Sequence, residues 1–230
     1  MAQKNRMVIM SLGGSMIIPA DGFNVSFLKS FRKMIMDRVK KGDKFILVVG
    51  GGGTCRAYQK AIKEAIGLSS TNLDWLGIYV THLNAKFTRF LLSDIAHPEV
   101  ITNPTRKIKT SKPVIIAGGW KPGCSTDKDA VLLAKVYGAK EVINVSNIDY
   151  VYTADPRKDS KAKPLPHLTW PEMRKIVGNK WNPGANVPFD PSAAKEAQKL
   201  GLKVSFVKGT NMVELKKAIG GLTTKGTVIE

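Results

Sequence analysis

Apolar residues recur along this chain in two rhythms. Short unbroken runs come first: Met7 to Leu12, Phe45 to Val49, Pro113 to Ala117, Val142 to Ser146, Lys203 to Val207, and a final Gly226 to Ile229. Runs of this length, rich in Val and Ile, predict strands buried on both faces, the pattern of a largely parallel sheet. Between them, apolar positions fall at helical spacing. Phe27, Leu28, Phe31, Met34, Ile35 and Val39 predict a helix over 26–40 that Gly42 terminates. Leu76, Tyr79, Val80, Leu83, Phe87, Phe90 and Leu91 predict a longer one over 72–95, with most of its apolar stripe turned to the core. Further helices are predicted from near Thr54, from Ser125 to Tyr137 with Gly138 closing, from the capping box Thr169-Trp170-Pro171-Glu172, from Asp190-Pro191 to Gly201, and from Asn211 to Ile219. Residues 152–168 read as a polar, proline-bearing loop. Strands alternating with helices give an α/β fold, a three-layer α/β/α sandwich on a mostly parallel central sheet. We expect a single domain over 1–230 with two functional lobes, about 1–140 and 141–230.

Three of the predicted strands end in glycine: Gly13-Gly14, Gly50 to Gly53, and Gly118-Gly119. Ligands of parallel sheets bind beyond the carboxyl ends of the strands. Glycine there lets backbone N–H groups approach an anion, and the following helix adds its N-terminal dipole. One such turn can be needed for geometry alone; three can converge on one crevice. The chain has no GxxxxGK(S/T) loop, no GxGxxG opening a helix, and neither the HRD nor the DFG signature. A phosphate site would therefore follow another pattern.

Charge sharpens this picture. With 36 Lys and Arg against 18 Asp and Glu in 230 residues, the formal charge is +18, which favours anionic partners. The cations are scattered, without a long basic run or an aromatic-basic ribonucleoprotein motif, so nucleic acid is the weaker reading. Cys55 and Cys124 are far apart and form no CxxC pair, suggesting neither a zinc site nor a disulfide but a reducing compartment. No apolar run reaches 18 residues, so no membrane span is expected, and the N-terminal stretch reads as a first strand and not as a signal peptide. We expect a cytoplasmic protein. His82, His97 and His167 lack a partner pattern and read as structural or surface residues.

Two further segments bear chemistry. In Lys121-Pro122-Gly123-Cys124-Ser125-Thr126-Asp127, Ser125 and Thr126 can cap a helix or donate to an anion at its N-terminus, and Asp127 can complement the dipole, orient lysines or hold a metal. Asn147-Ile148-Asp149-Tyr150-Val151-Tyr152-Thr153-Ala154-Asp155-Pro156 can hold a nucleoside at a sheet edge or form a plain Asp-Pro turn.

Together with Ser11-Leu12-Gly13-Gly14-Ser15, Val48-Val49-Gly50-Gly51-Gly52 and Asp190-Pro191-Ser192-Ala193-Ala194-Lys195, these segments resemble the motif series of the amino-acid kinase superfamily, in its archaeal UMP kinase branch. The resemblance runs from about Met7 to Glu230. It implies an ATP site at Ser11, Leu12, Gly13, Gly14, Ser15, Gly51 and Arg56, with Ser146, Tyr152 and Asp155 at the adenosine end. It implies UMP contacts at Gly50, Asp74 and the segment Trp120, Lys121, Pro122, Gly123, Cys124, Ser125, Thr126. Lys195, Asp190 and Asp127 match catalytic positions. Mg²⁺ would arrive on ATP, with no metal ligands of the protein's own, and a homohexamer is implied. Many superfamily members carry a lysine where this chain has Ser11, so the cationic role falls elsewhere, with Lys195 and Lys121 as candidates. Other acceptors (isopentenyl phosphate, carbamate, acetylglutamate) and a non-catalytic nucleotide or oxyanion store are the alternatives.

Overall fold

The computed structural model describes residues 6–180 and 187–230. At its centre β1 (Met7–Leu12) pairs in parallel with β2 (Lys44–Val49) on one side and β5 (Glu141–Ser146) on the other, with Ile9 opposite both Ile46 and Val142. Outward from β2 lie β4 (Val114–Ala117) and the edge strand β3 (Ala96–Ile101). Outward from β5 lie β9 (Lys203–Lys208), β10 (Thr227–Ile229) and β8 (His167–Leu168), so the eight-stranded order is β3-β4-β2-β1-β5-β9-β10-β8. Among the described residues, only the β9–β10 pairing is antiparallel in this sheet. The separate hairpin of β6 (Val151–Tyr152) and β7 (Pro164–Leu165) stands within the predicted loop.

Unbroken apolar strands become intelligible once the two faces are separated. Val8, Met10 and Leu12 join Phe45, Leu47 and Val49 beneath α2 (Val25–Lys40), α4 (Ser70–Leu91) and α8 (Met212–Ile219). Ile9, Ile46, Val48, Val142, Val204 and Phe206 face the other way, under α5 (Thr126–Tyr137), α6 (Trp170–Val177) and α7 (Pro191–Leu200). Each fully buried side chain of this kind contributes about 2 kcal/mol, and the alternation distributes that gain over both layers. The expected three-layer sandwich is thereby built. Most caps fall where the sequence signals them: Ser125, Thr169 with Glu172, Asp190 and Asn211 accept first-turn N–H groups, and Gly138 and Gly201 close helices in the left-handed region, while Asn24 caps α2 two residues before its expected start.

One expectation holds for only part of its residues: on α4 Val80 is buried and Phe87 and Leu91 pack against the core, but the rest of the large apolar stripe does not. The inward face of α4 consists of Gly77, Ile78, Val80, Thr81, Asn84, Ala85 and Thr88, whereas Tyr79, Leu83 and Phe90 are exposed, at 62–65%. Close packing is the reason. A Cβ on Gly77 would come 2.9 Å from Gln59 Nε2, and one on Gly118 would come 2.7 Å from His82 Cδ2. Small residues are needed where α3 (Gly52–Ala65) and the turn after β4 press against α4, and Tyr79, Leu83 and Phe90 are left outside.

Candidate active site

Because β1, β2, β4 and β5 run parallel, their carboxyl ends open on one edge of the sheet. There the first two glycine turns interlock. Gly14 begins the one-turn helix α1 (Gly14–Ile17), and a Cβ on it would overlap Gly52 N and sit 2.5 Å from Gly50 O. Gly52 has φ +67, and its own Cβ would lie 2.6 Å from Gly14 O. Glycine at these two positions is thus required by contact between the turns themselves. Asn84, buried on α4, fastens the second turn by donating Nδ2–H groups to Gly50 O (3.0 Å) and Gly51 O (2.9 Å). The third pair is tied down differently. Gly119 N–H donates to Thr81 Oγ1 at 2.7 Å, and His82 Nε2–H donates to Gly119 O at 2.7 Å. The Gly119 amide is therefore engaged by protein, and His82 has a structural role.

A cavity of about 460 Å³ lies over these turns. Of the residues expected in the two half-sites, Ser15, Gly51, Arg56, Asp74, Cys124, Ser125 and Thr126 line it. Gly52, Cys55, Gln59, Gly77, Ile78, Thr81, Gly119, Asn147 and Arg157 complete the wall. Arg56 Nη1 reaches Ser15 Oγ at 3.3 Å. Asp74 accepts the Gly123 N–H at 2.8 Å, which fixes the 120–126 segment to α4. Ser125 is the N-cap of α5. Ser11 and Leu12 are buried at the end of β1, and Gly13 donates its N–H to Val145 O. Lys121 Nζ stands 4.1 Å above the Trp120 ring, and Pro122 follows on that turn.

Behind the cavity lies a carboxylate group of three. Asp127 accepts the Ser11 hydroxyl at 2.7 Å and the Asn144 amide at 3.0 Å, and the Asp190 N–H also reaches it. Burial pushes its carboxyl up to about 6, although these hydrogen bonds pull the other way. Asp127 is thus oriented by a hydroxyl and an amide where many superfamily members would present a lysine. Asp129, fully buried, accepts the Cys124 thiol at 3.1 Å and the Trp120 N–H at 3.2 Å, and burial raises it to about 7. Asp190 caps α7 through Oδ1, while its buried Oδ2 has no hydrogen-bond partner among the described residues. Lys195, in the second turn of α7, is exposed and outside the cavity lining.

At the far end, Ser146 closes β5, Tyr152 donates its hydroxyl to Asp149 at 2.9 Å, and Asp155 accepts from the Nε–Nη2 edge of the Arg157 guanidinium with both carboxylate oxygens. Asn147 opens the Asn147–Pro156 motif, but Arg157 lies one residue past its end, in the predicted 152–168 loop, and no sequence signal singles out either. Asn84 had a readable signal, a lone amide on the i, i+4 row between Val80 and Thr88. Asp129 had a weaker one, as the second carboxylate of the Asp127-Lys128-Asp129 run.

A glycine-floored cavity at the carboxyl edge of a parallel sheet, with helix N-termini and arginines in its wall, defines a binder of phosphorylated small molecules. The model of the amino acid kinase family matches residues 6–208, and the chain belongs to that family. More particular names attach to its relatives. It is 34% identical over 227 residues to a uridylate kinase of Methanocorpusculum labreanum, covering 96% of this chain and 94% of the relative. It is 34% identical over 214 residues to the uridylate kinase of Sulfolobus acidocaldarius, covering 91% and 93%. Among solved structures, uridylate kinase from Archaeoglobus fulgidus superposes with a TM-score of 0.80 at 32% identity, covering 97% of this chain and 99% of that one.

Proposed function

We propose that this chain is a UMP kinase, transferring the γ-phosphoryl group of ATP to UMP to give ADP and UDP for pyrimidine nucleotide biosynthesis. The observation that carries the reading is the single cavity joining the β1 and β2 glycine turns to the N-terminus of α5, with Arg56 in its wall. ATP phosphates would lie toward Gly13, Gly14, Ser15 and Gly51, with the adenosine toward Ser146 and Tyr152. UMP would lie toward Asp74 and the segment 120–126.

The acceptor is a phosphomonoester whose second pKa is about 6, so it is already ionised at neutral pH and needs no general base. The difficulty is repulsion, on the order of 4 kcal/mol for one pair of like charges at ~4 Å in an effective dielectric of about 20. Backbone N–H groups, the α5 N-terminus and arginine offset it by pre-set positive potential where negative charge gathers. Asp127, held by Ser11 and Asn144, fixes the relative position of β1, β5 and α5 at this point. Mg²⁺ carried on ATP would neutralise its phosphate oxygens. The Asp190 Oδ2 beside the Asp127 carboxylate, without a partner among the described residues, is a hard oxygen donor of the kind Mg²⁺ takes.

Trp75, Tyr79, Leu83 and Phe90 are exposed on α4, a surface that supports assembly of copies of this chain, and we read a homo-oligomer, with a hexamer as the implied form. Among the described residues no helix is long and apolar enough to cross a membrane, and we place the enzyme in the cytoplasm. An acceptor panel of UMP, CMP, carbamate, acetylglutamate and isopentenyl phosphate with Mg·ATP, read by ADP release, tests the reading. We expect UMP to give the highest kcat/KM. Preference for any other acceptor overturns the assignment, and no ADP release with the whole panel favours a nucleotide store.

A further inference from the structure

The charge demanded at the phosphates has no lysine to meet it where the sequence pointed. Ser11 is occupied with Asp127, Lys121 rests on the Trp120 ring, and Lys195 is exposed on α7 outside the cavity lining. Among the described residues, the cationic side chains that do line the cavity are Arg56 and Arg157. Arg56 stands on α3 beside Ser15. Arg157 comes from the other lobe, on the loop between β6 and β7.

Arg157 is held in a specific way. Its Nε donates to Asp155 Oδ1 and its Nη2 to Asp155 Oδ2, both at 2.9 Å, and its backbone N–H donates to the same Oδ1 at 3.1 Å. Two parallel N–H···O bonds fix the guanidinium plane as well as its position. A guanidinium has five N–H donors. Asp155 uses two, leaving three with their direction set by the pair. The Arg157 side chain is 68% exposed, so the pair itself adds little stability. Its effect is orientation, and the oriented group lies in the wall that also contains Ser15, Gly51, Gly52 and Asn147.

We propose that Arg157 is a phosphate-binding residue of this site, meeting the ATP phosphates from the side opposite Arg56, and that Asp155 is a positioning residue acting through it. ATP is the source of the phosphate because Arg157 and Asn147 belong to the segment after β5, on the ATP half of the reading on which this inference rests. Asp155 thereby acquires a role other than direct contact with the nucleoside, and Arg157 supplies charge that the chain lacks at Ser11.

Calorimetric titration of the full-length chain with Mg·ATP, adenosine and UMP, each alone, tests this. Arg157→Ala should raise the Mg·ATP Kd by about tenfold or more, the scale of one lost charge-assisted contact, while shifting adenosine and UMP by less than about twofold. Arg157→Lys should recover part of the loss, and Asp155→Asn should weaken Mg·ATP by a smaller factor with adenosine unchanged. Mg·ATP affinity unmoved by Arg157→Ala overturns the proposal. So does an equal loss for adenosine and Mg·ATP, or a loss confined to UMP. Because Mg·ATP is titrated alone, the result stands whichever acceptor the chain takes.

Discussion

Two walls of the same cavity are built in opposite ways. Between Gly13 and Gly53 the glycine turns meet backbone to backbone, closer than any side chain would permit, and buried Asn84 is bonded to both Gly50 and Gly51. On the loop of residues 153–163 the groups are mostly exposed, and the order comes from charge: Asp155 with Arg157. Packing sets the first wall and tolerates no change of volume. Water screens the second, so its pairings cost little to break and are available for exchange with a ligand. A site that must hold phosphates rigidly yet admit and release nucleotides can use both.

Substitutions at the packed wall should have the largest effects. Gly14→Ala places a methyl against Gly52 N and Gly50 O, and we expect destabilisation of about 3 kcal/mol, the upper end of ordinary overpacking, with turnover lost. A denaturation midpoint within error of the parent would show that the turns can part. Next comes Asn84→Ala, which takes the side-chain donor from the buried Gly50 carbonyl and leaves Gly51 O with the Cys55 N–H, and should cost about 2 kcal/mol while raising the Michaelis constant for ATP. Loss of stability without any change in that constant would separate the floor from the nucleotide.

The buried carboxylates should show in the pH dependence. Asp127 and Asp129 titrate near 6 and 7 when folded, above the value of about 4 of an unfolded chain. The folded state therefore holds the extra protons. Its gain from them is complete in acid and is lost as pH rises through about 4 to 7, at up to roughly 1.4 kcal/mol per pH unit for each group. Chemical denaturation of Asp129→Asn between pH 4.5 and 8 should show a flatter profile than the parent. Parallel profiles would mean that Asp129 ionises freely. The smallest effect is expected at Lys195→Ala, with kcat changed by less than about threefold, as for a solvated lysine. A loss exceeding that of Arg157→Ala would return Lys195 to the reaction centre.

Much of the fold was legible because its strands are buried on both faces and carry that fact as unbroken apolar runs. Strand β3 was not, since His97 and Pro98 interrupt its pattern and an edge position tolerates them. The hairpin β6–β7 is too short to show a period. The orientation of α4 is legible only in part, because where it faces the glycine turns it buries Gly77, Thr81 and Asn84 and leaves Tyr79, Leu83 and Phe90 outside. Within the site, glycines and the α5 cap announced themselves by type and spacing. The tertiary partners did not: nothing local tells that Ser11 meets Asp127 across 116 positions, or that Asn84 reaches Gly50.

A structure of the chain with UMP and a non-hydrolysable Mg·ATP analogue bears most directly on the account. It should put the terminal phosphoryl mimic and the UMP phosphate together over Ser15 and Gly51, with the two nucleosides diverging toward Ser146 and Asp74. Either nucleotide bound away from the interlocked turns would contradict it.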